Sequence, residues 1–276
     1  LPKGAEKFGH TAIEQAISSL DDKAEKIAGL GIAIPFQLWN WVDEIGAKAA
    51  EMNQWREYDI RESFAKIYNW PVYVQNDATA ACGAELLFGT NRHLQDFVYF
   101  FIGTFIGGGI VLNGSLYSGR TGNAGAIGPL PVPGVNGSTQ PLIEQASLIT
   151  LERNLVANGK DPAQLWHADG EWAGVEQETK AWMQTAAKGL AHATIAAASV
   201  IDFQTALIDG SFSPALRTKL VEMIGAEIGH LDLQGIIAPK IEEGSIGSVA
   251  RALGGASLPL FDHYYIDQIA LTDQPT

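Results

Sequence analysis

Asn76 and Asp77 stand where a strand-like run, residues 71–75, gives way to a helix-forming segment, 78–88. A carboxylate at the carboxyl end of a strand lies where ligands bind in open α/β sheets, and there Asp77 could take a proton from a substrate hydroxyl. The same pair would serve equally as a helix N-cap, because both side chains accept from the free N–H groups of a first turn. A second cluster, Gly103-Thr104-Phe105-Ile106-Gly107-Gly108-Gly109, separates two apolar runs. Glycine permits positive φ and lets backbone N–H groups approach an anion. Taken alone, the cluster reads more readily as a hairpin with a bulge. The third group, residues 119–129 (GRTGNAGAIGP), holds glycines that turn chemistry by itself would explain.

Positioning these groups requires the elements around them. Residues 4–20 place Phe8, Ile13, Ile17 and Leu20 at roughly helical spacing, and 27–34 (IAGLGIAI) reads as a buried strand stopped by Pro35. The Trp-rich stretch 36–55 has no clean period; Trp39, Trp41 and Trp55 are candidate aromatic faces for a ligand, although tryptophan is more often core. Asp59 is a candidate cap for a helix carrying Ile60, Phe64 and Ile67. A hairpin over 96–103 and 109–113 frames the glycine cluster, and a Gly/Pro-rich loop follows at 114–140. Helices are expected at 141–158 and 177–201, then a strand at 205–208 with Asp209-Gly210 as a turn. A helix at 214–228, a strand at 235–241 and helices at 246–256 and 258–270 complete the chain. Strands alternating with helices give an α/β fold with covered sheets. The expected division is a smaller lobe over 1–92, rejoined by the C-terminal segment 258–276, and a larger lobe over 93–257.

In this order and spacing the three clusters resemble the ROK family (repressor, open reading frame, kinase), and the resemblance covers essentially the whole chain. NDATAACGAE, with Asn76, Asp77 and Glu85, is similar to the family's Asn-Asp-Ala helix start with its following Glu. GTFIGGG and GSLYSG resemble its glycine turn and the segment after the next strand. AGAIGP (Ala124 to Pro129) resembles Ala-Gly-Glu-x-Gly-His, and VIDFQTALIDGSF the strand and glycine turn near the nucleotide. The resemblance implies an actin-like, ribonuclease H-like sugar-kinase fold of two lobes with a ligand cleft between them. Ligand contacts are then expected from Asn76, Asp77, Asn123, Gly125, Ala126 and Glu144.

The departures from the family are as informative. Family kinases carry glycine at the position of Phe105, because the phosphates lie against that backbone; Gly103, Thr104, Phe105 and Gly107 thus form a degenerate phosphate turn. The family's sugar-binding Glu and His correspond to Ala126 and Pro129. That His is also a zinc ligand beside three cysteines, whereas PVPGVNGSTQP, residues 131–141, holds neither residue type. A further family Glu falls at Ile143 or Glu144, depending on register. Phosphoryl transfer depends on positioning and charge neutralisation, so Asp77 is expected to be a vestigial base. The pattern implies the sugar-sensing, effector-binding and oligomerisation region of a ROK-type transcriptional regulator; IAIPFQLWNWVDE, with Phe36 where kinases carry Gly, points the same way. The alternative is an active sugar kinase using ATP and magnesium. Otherwise no cofactor and no zinc are expected.

Composition fits this division of labour. The 276 residues carry a formal charge of −13, which repels phosphate backbones, so contact with DNA is expected only through a basic domain upstream of Leu1. The family's first strands and its Asp-x-Gly-Gly-Thr loop are expected upstream as well. Cys82 is the only cysteine, which excludes an intrachain disulfide. The six histidines show no ligand spacing. The longest apolar stretch, 190–201, contains His192 and Thr194 and is too short for a bilayer. The expected setting is the cytoplasm, as a homodimer or higher homo-oligomer that binds a small sugar or sugar derivative.

Overall fold

A computed structural model describes residues 2–20, 26–37, 39, 42, 48–134, 137–167 and 172–264. The chain forms two compact units, residues 1–77 with 255–276, and residues 78–254. The sequence-based boundary at residue 92 lies fifteen residues further along the chain than this division at Asp77–Ala78 (92 − 77 = 15). Trp41, Val135, Asn136 and residues 265–276 lie outside the described residues.

The first unit contains α1 (Pro2–Ser18), β1 (Leu30–Ile34), α2 (Ala49–Met52), α3 (Ile60–Ala65) and β2 (Val72–Asn76). β1 and β2 run parallel, in register from Leu30 opposite Val72 to Ile34 opposite Asn76. Asp59 caps α3 as its sequence position predicts, its side chain accepting from the Glu62 N–H at 3.0 Å. Phe64 is buried, and its ring meets His10 at 4.6 Å and Tyr68 at 6.4 Å, with Tyr68 stacked on Trp70 at 5.0 Å. Aromatic stacking, with the Ser63 hydroxyl donating to Glu6, therefore ties α1 to α3.

The second unit follows with α4 (Asp77–Phe88), β3 (Phe97–Ile102), β4 (Ile106–Leu112), β5 (Ser115–Leu116), β6 (Pro131–Pro133) and β7 (Thr139–Pro141). Then come α5 (Ile143–Ala146), α6 (Leu148–Ala157), α7 (Glu176–Ile201), β8 (Thr205–Gly210), α8 (Pro214–Ile228), β9 (Lys240–Glu243) and α9 (Ala250–Tyr264), whose residues from Gly255 onward belong to the first unit. The main sheet has the order β5-β4-β3-β8-β9, with β3, β8 and β9 parallel and the β4–β5 hairpin antiparallel at one edge. β3 reads FVYFFI and is buried at every residue, as a strand covered on both faces must be. Among the described residues no helix is long and apolar enough to cross a membrane.

Four local expectations change, each for an identifiable reason. The helix expected over 141–158 is broken at Ser147, which is extended at φ −77 and ψ 147. The strand expected at 235–241 forms only from Lys240, because Gly235 takes φ +82 and Pro239 offers no N–H to a ladder. Asp209 and Gly210 are not a turn but the last residues of β8. The two helices expected after residue 246 are one, α9, with Pro259 inside it. Proline has no N–H for the carbonyl four residues back. That carbonyl, on Gly255, faces Gly31 of β1, where an added Cβ would come within 1.7 Å of it.

The carboxyl end of β8 is held by a buried polar network. The fully buried Asp209 accepts from the Tyr99 hydroxyl at 2.8 Å, Arg217 Nη1 at 2.8 Å, and the N–H groups of Gly210 and Gly247, each at 2.9 Å. Arg217 also donates from Nε to Glu243 at 3.3 Å. Beside it, the buried Glu85 accepts from Ser245 N–H at 2.8 Å and Ser245 Oγ at 2.9 Å. Burial raises the pKa of Glu85 above 4.5, the Asp209 charge adds to this, and the Ser245 bonds oppose it. A carboxyl group whose folded pKa is raised stabilises the fold most when protonated, and that contribution is lost as pH climbs from the ordinary carboxylate range through the raised value. Chemical denaturation of the native chain and of Glu85→Gln should therefore show the native chain's relative stability falling from pH 4.5 towards neutrality. A difference that is constant or grows with pH would contradict this.

Candidate functional site

Glycines in β4 set the position of the first candidate residues. A Cβ on Gly107 would stand 2.6 Å from Ala78 Cβ, and one on Gly109 would stand 2.3 Å from Cys82 Cβ. Ala78 and Cys82 lie one turn apart on α4, so the helix rests on the strand backbone with only small side chains intervening. The other face of β4 is approached as closely. A Cβ on Gly108 would meet Ile127 Cδ1 at 2.8 Å, and Gly125, at φ +80, leaves 2.7 Å between its own Cβ position and Gly109 Cα. The glycine run therefore serves close packing on both faces of a strand; the turn proper is the shorter Gly103-Thr104-Phe105.

This packing fixes Ala78, and with it the start of α4. Asp77 is the first residue of that helix and Asn76 the last of β2, both half-buried. The loop at 119–129 is held by its own backbone: Ala124 N–H donates to Ser118 at 3.1 Å, Ala126 to Asn123 at 3.3 Å, and Ile127 to Gly125 at 2.7 Å. Asn123 and Gly125 are half-buried, whereas Ala126 and Pro129 are exposed. At the next position left open by the sequence, Ile143 N–H donates to the Gly128 carbonyl at 2.9 Å, while Glu144 is exposed on α5. Ile143 thus meets the loop through its backbone. Ala126, Pro129 and Ile143 give this part of the unit an apolar character. Among the described residues no group of three or more His, Cys, Asp or Glu is placed to hold a metal ion.

The glycine turn is engaged internally. Gly103 N–H donates to the Phe105 carbonyl at 3.3 Å, and Ile106 N–H donates to Ser147 Oγ at 3.0 Å. The first N–H groups of α6, which at a helix start are usually free for an anion, donate to the turn: Leu148 to Gly103 at 3.0 Å and Ile149 to Thr104 at 3.1 Å. Phe105 is half-buried and not among the residues with positive φ, so its backbone is unstrained. The sequence reading missed Ser147, which breaks a helix, satisfies Ile106 and accepts from Trp182 Nε1 at 3.1 Å through its carbonyl. No local pattern marks these partners, 41 and 35 residues away.

Calorimetric titration with magnesium-ATP should accordingly give no measurable heat of binding at millimolar nucleotide. A dissociation constant below a millimolar would contradict this. Phe105→Gly should gain affinity if the ring is the obstacle, and remain silent if the engaged amides are.

Comparison with known proteins extends these observations. The profile of the ROK family matches residues 5–259. The uncharacterized protein y4fQ of Sinorhizobium fredii is 24% identical over 273 residues, 98% of this chain and 67% of that protein. The xylose repressor of Bacillus subtilis is 29% identical over 121 residues, 44% of this chain but only 30% of the repressor. The crystal structure of the ROK hexokinase from Thermus thermophilus matches with a TM-score of 0.61 at 24% identity, covering 89% of this chain and 85% of that one. That likeness carries the fold, the actin-like, ribonuclease H-like architecture of sugar kinases. With its glycine-packed β4, its Asn-Asp helix start and a family match spanning residues 5–259, the chain belongs to the ROK family.

Proposed function

We propose that this chain is the effector-binding body of a sugar-responsive ROK regulator, and that it binds its sugar without phosphorylating it. The observation that carries this reading is the engaged glycine turn: the Gly103 and Ile106 N–H groups are taken by the Phe105 carbonyl and Ser147 Oγ, and the Leu148 and Ile149 N–H groups of α6 are taken by the Gly103 and Thr104 carbonyls. An anion cradle needs amides that are free and aimed outward. The apolar Ala126, Pro129 and Ile143 support the same reading, because they offer no carboxylate or imidazole to a sugar hydroxyl. The xylose repressor relationship favours the regulator, and the hexokinase likeness keeps the kinase alternative in view. DNA would be reached through a basic module outside this segment, whose own charge is −13. A two-fold dimer would suit a palindromic operator.

Asn76 and Asp77 are the sugar contacts in this account, since a half-buried amide and carboxylate that a sugar covers discriminate between paired hydroxyls by the cost of a partnerless polar group, about 1–3 kcal/mol. A ligand that prefers the folded state raises the melting temperature. In a thermal-shift screen of pentoses and hexoses, at least one sugar should therefore stabilise the native chain. Asp77→Ala should abolish that shift while lowering intrinsic stability by no more than about 1 kcal/mol, the usual cost of a lost helix-start carboxylate. An unchanged sugar response in Asp77→Ala would move the site elsewhere.

A further inference from the structure

In the first unit, β2 borders a concave surface. A groove of about 300 Å³ is lined by Arg56, Glu57, Tyr58, Asp59, Arg61 and Val74, among others. Side chains alternate along a strand, so Val74 and Asn76 project from the same face of β2, about 7 Å apart. The groove therefore lies on the Asn76 side of the strand.

Its charges are unusual for so acidic a chain. Among the described residues, neither Arg56 nor Arg61 has a carboxylate within ion-pair distance. Arg56 is held instead over the Trp39 ring, 5.5 Å from its centroid, a contact that orients a guanidinium without neutralising it. Trp55 meets Tyr58 edge-on at 5.8 Å and stiffens the same wall. Of the two acids on the groove, Asp59 is committed to the Glu62 N–H at the start of α3. Glu57 is exposed to water.

A guanidinium presents a planar fork that matches carboxylate or phosphate oxygens two at a time. We infer that Arg56 and Arg61 receive an anionic group of the effector, so that the sensed molecule is an acidic sugar rather than a neutral one. This rests on the proposed sugar contacts at Asn76 and Asp77, and adds a charged subsite to them.

Isothermal titration of the full chain with glucuronate, glucose 6-phosphate and glucose at one ionic strength tests it, the first two separating carboxylate from phosphate. At least one acid should bind about ten-fold or more tightly than glucose. Arg56→Gln and Arg61→Gln, both at exposed positions, should each reduce the acid's affinity towards that of glucose and leave glucose binding unchanged. Melting temperatures within a degree or so of the native value would confirm that both variants fold. Equal affinity for acid and neutral sugar, or acid binding indifferent to both variants, overturns the inference. If glucose alone binds and Asp77→Ala removes it, the charged subsite falls and the sensing role stands. If none of the three binds, the charged subsite falls, and the pentose and hexose screen decides the sensing role.

Discussion

The contact on which the second unit depends is the approach of α4 to the backbone of β4. Ala78 and Cys82 occupy space that exists only because residues 107 and 109 lack side chains, with Cβ positions 2.6 and 2.3 Å from those residues. The same helix is gripped from α9, where a Cβ on Gly254 would fall 1.9 Å from the Ala80 carbonyl. Glycine is therefore required on two elements at once, and any larger residue would have to displace backbone. This clasp fixes α4 from Ala78 onward within the second unit. It also leaves Gly108 to receive the loop at 119–129 on the opposite face.

The same economy explains why the turn after β3 looks like a phosphate site in sequence and behaves differently in structure. Glycines at 107–109 are consumed by packing, while the Ile106 N–H meets Ser147 and the Gly103 and Thr104 carbonyls meet Leu148 and Ile149. The break between α5 and α6 is what makes this possible. An uninterrupted helix would keep the Leu148 and Ile149 N–H groups for itself, whereas the extended Ser147 frees them to reach Gly103 and Thr104. An anion would have to compete with hydrogen bonds already made.

Much of this was legible from local pattern. The alternation of strands and helices, the Asp59 cap, the start of α4 at Asn76-Asp77 and the β3–β4 hairpin follow from residue type and spacing. The two roles left open for the glycine run could not be separated in sequence, because the deciding atoms belong to Ala78, Cys82 and Gly125. Longer-range features left no trace. Glu85 meets Ser245 at a separation of 160 residues, and Tyr99 meets Asp209 at 110. Pro259 falls in the first turn of the second helix expected from the sequence, yet it stands inside a single α9, where its missing donor leaves the Gly255 carbonyl facing Gly31. The groove beside β2 was hidden too, since Arg56 and Arg61 look like any exposed arginines until the partners of Asp59 are known.

The account turns on recognition without phosphoryl transfer. Its most direct test is to incubate the chain with magnesium-ATP and whichever sugar raises its melting temperature, and to follow ADP release. The predicted result is no ADP above the protein-free rate, with the sugar recovered unmodified. Sugar-dependent turnover of about 1 s⁻¹ or faster, the range of working kinases, would contradict it.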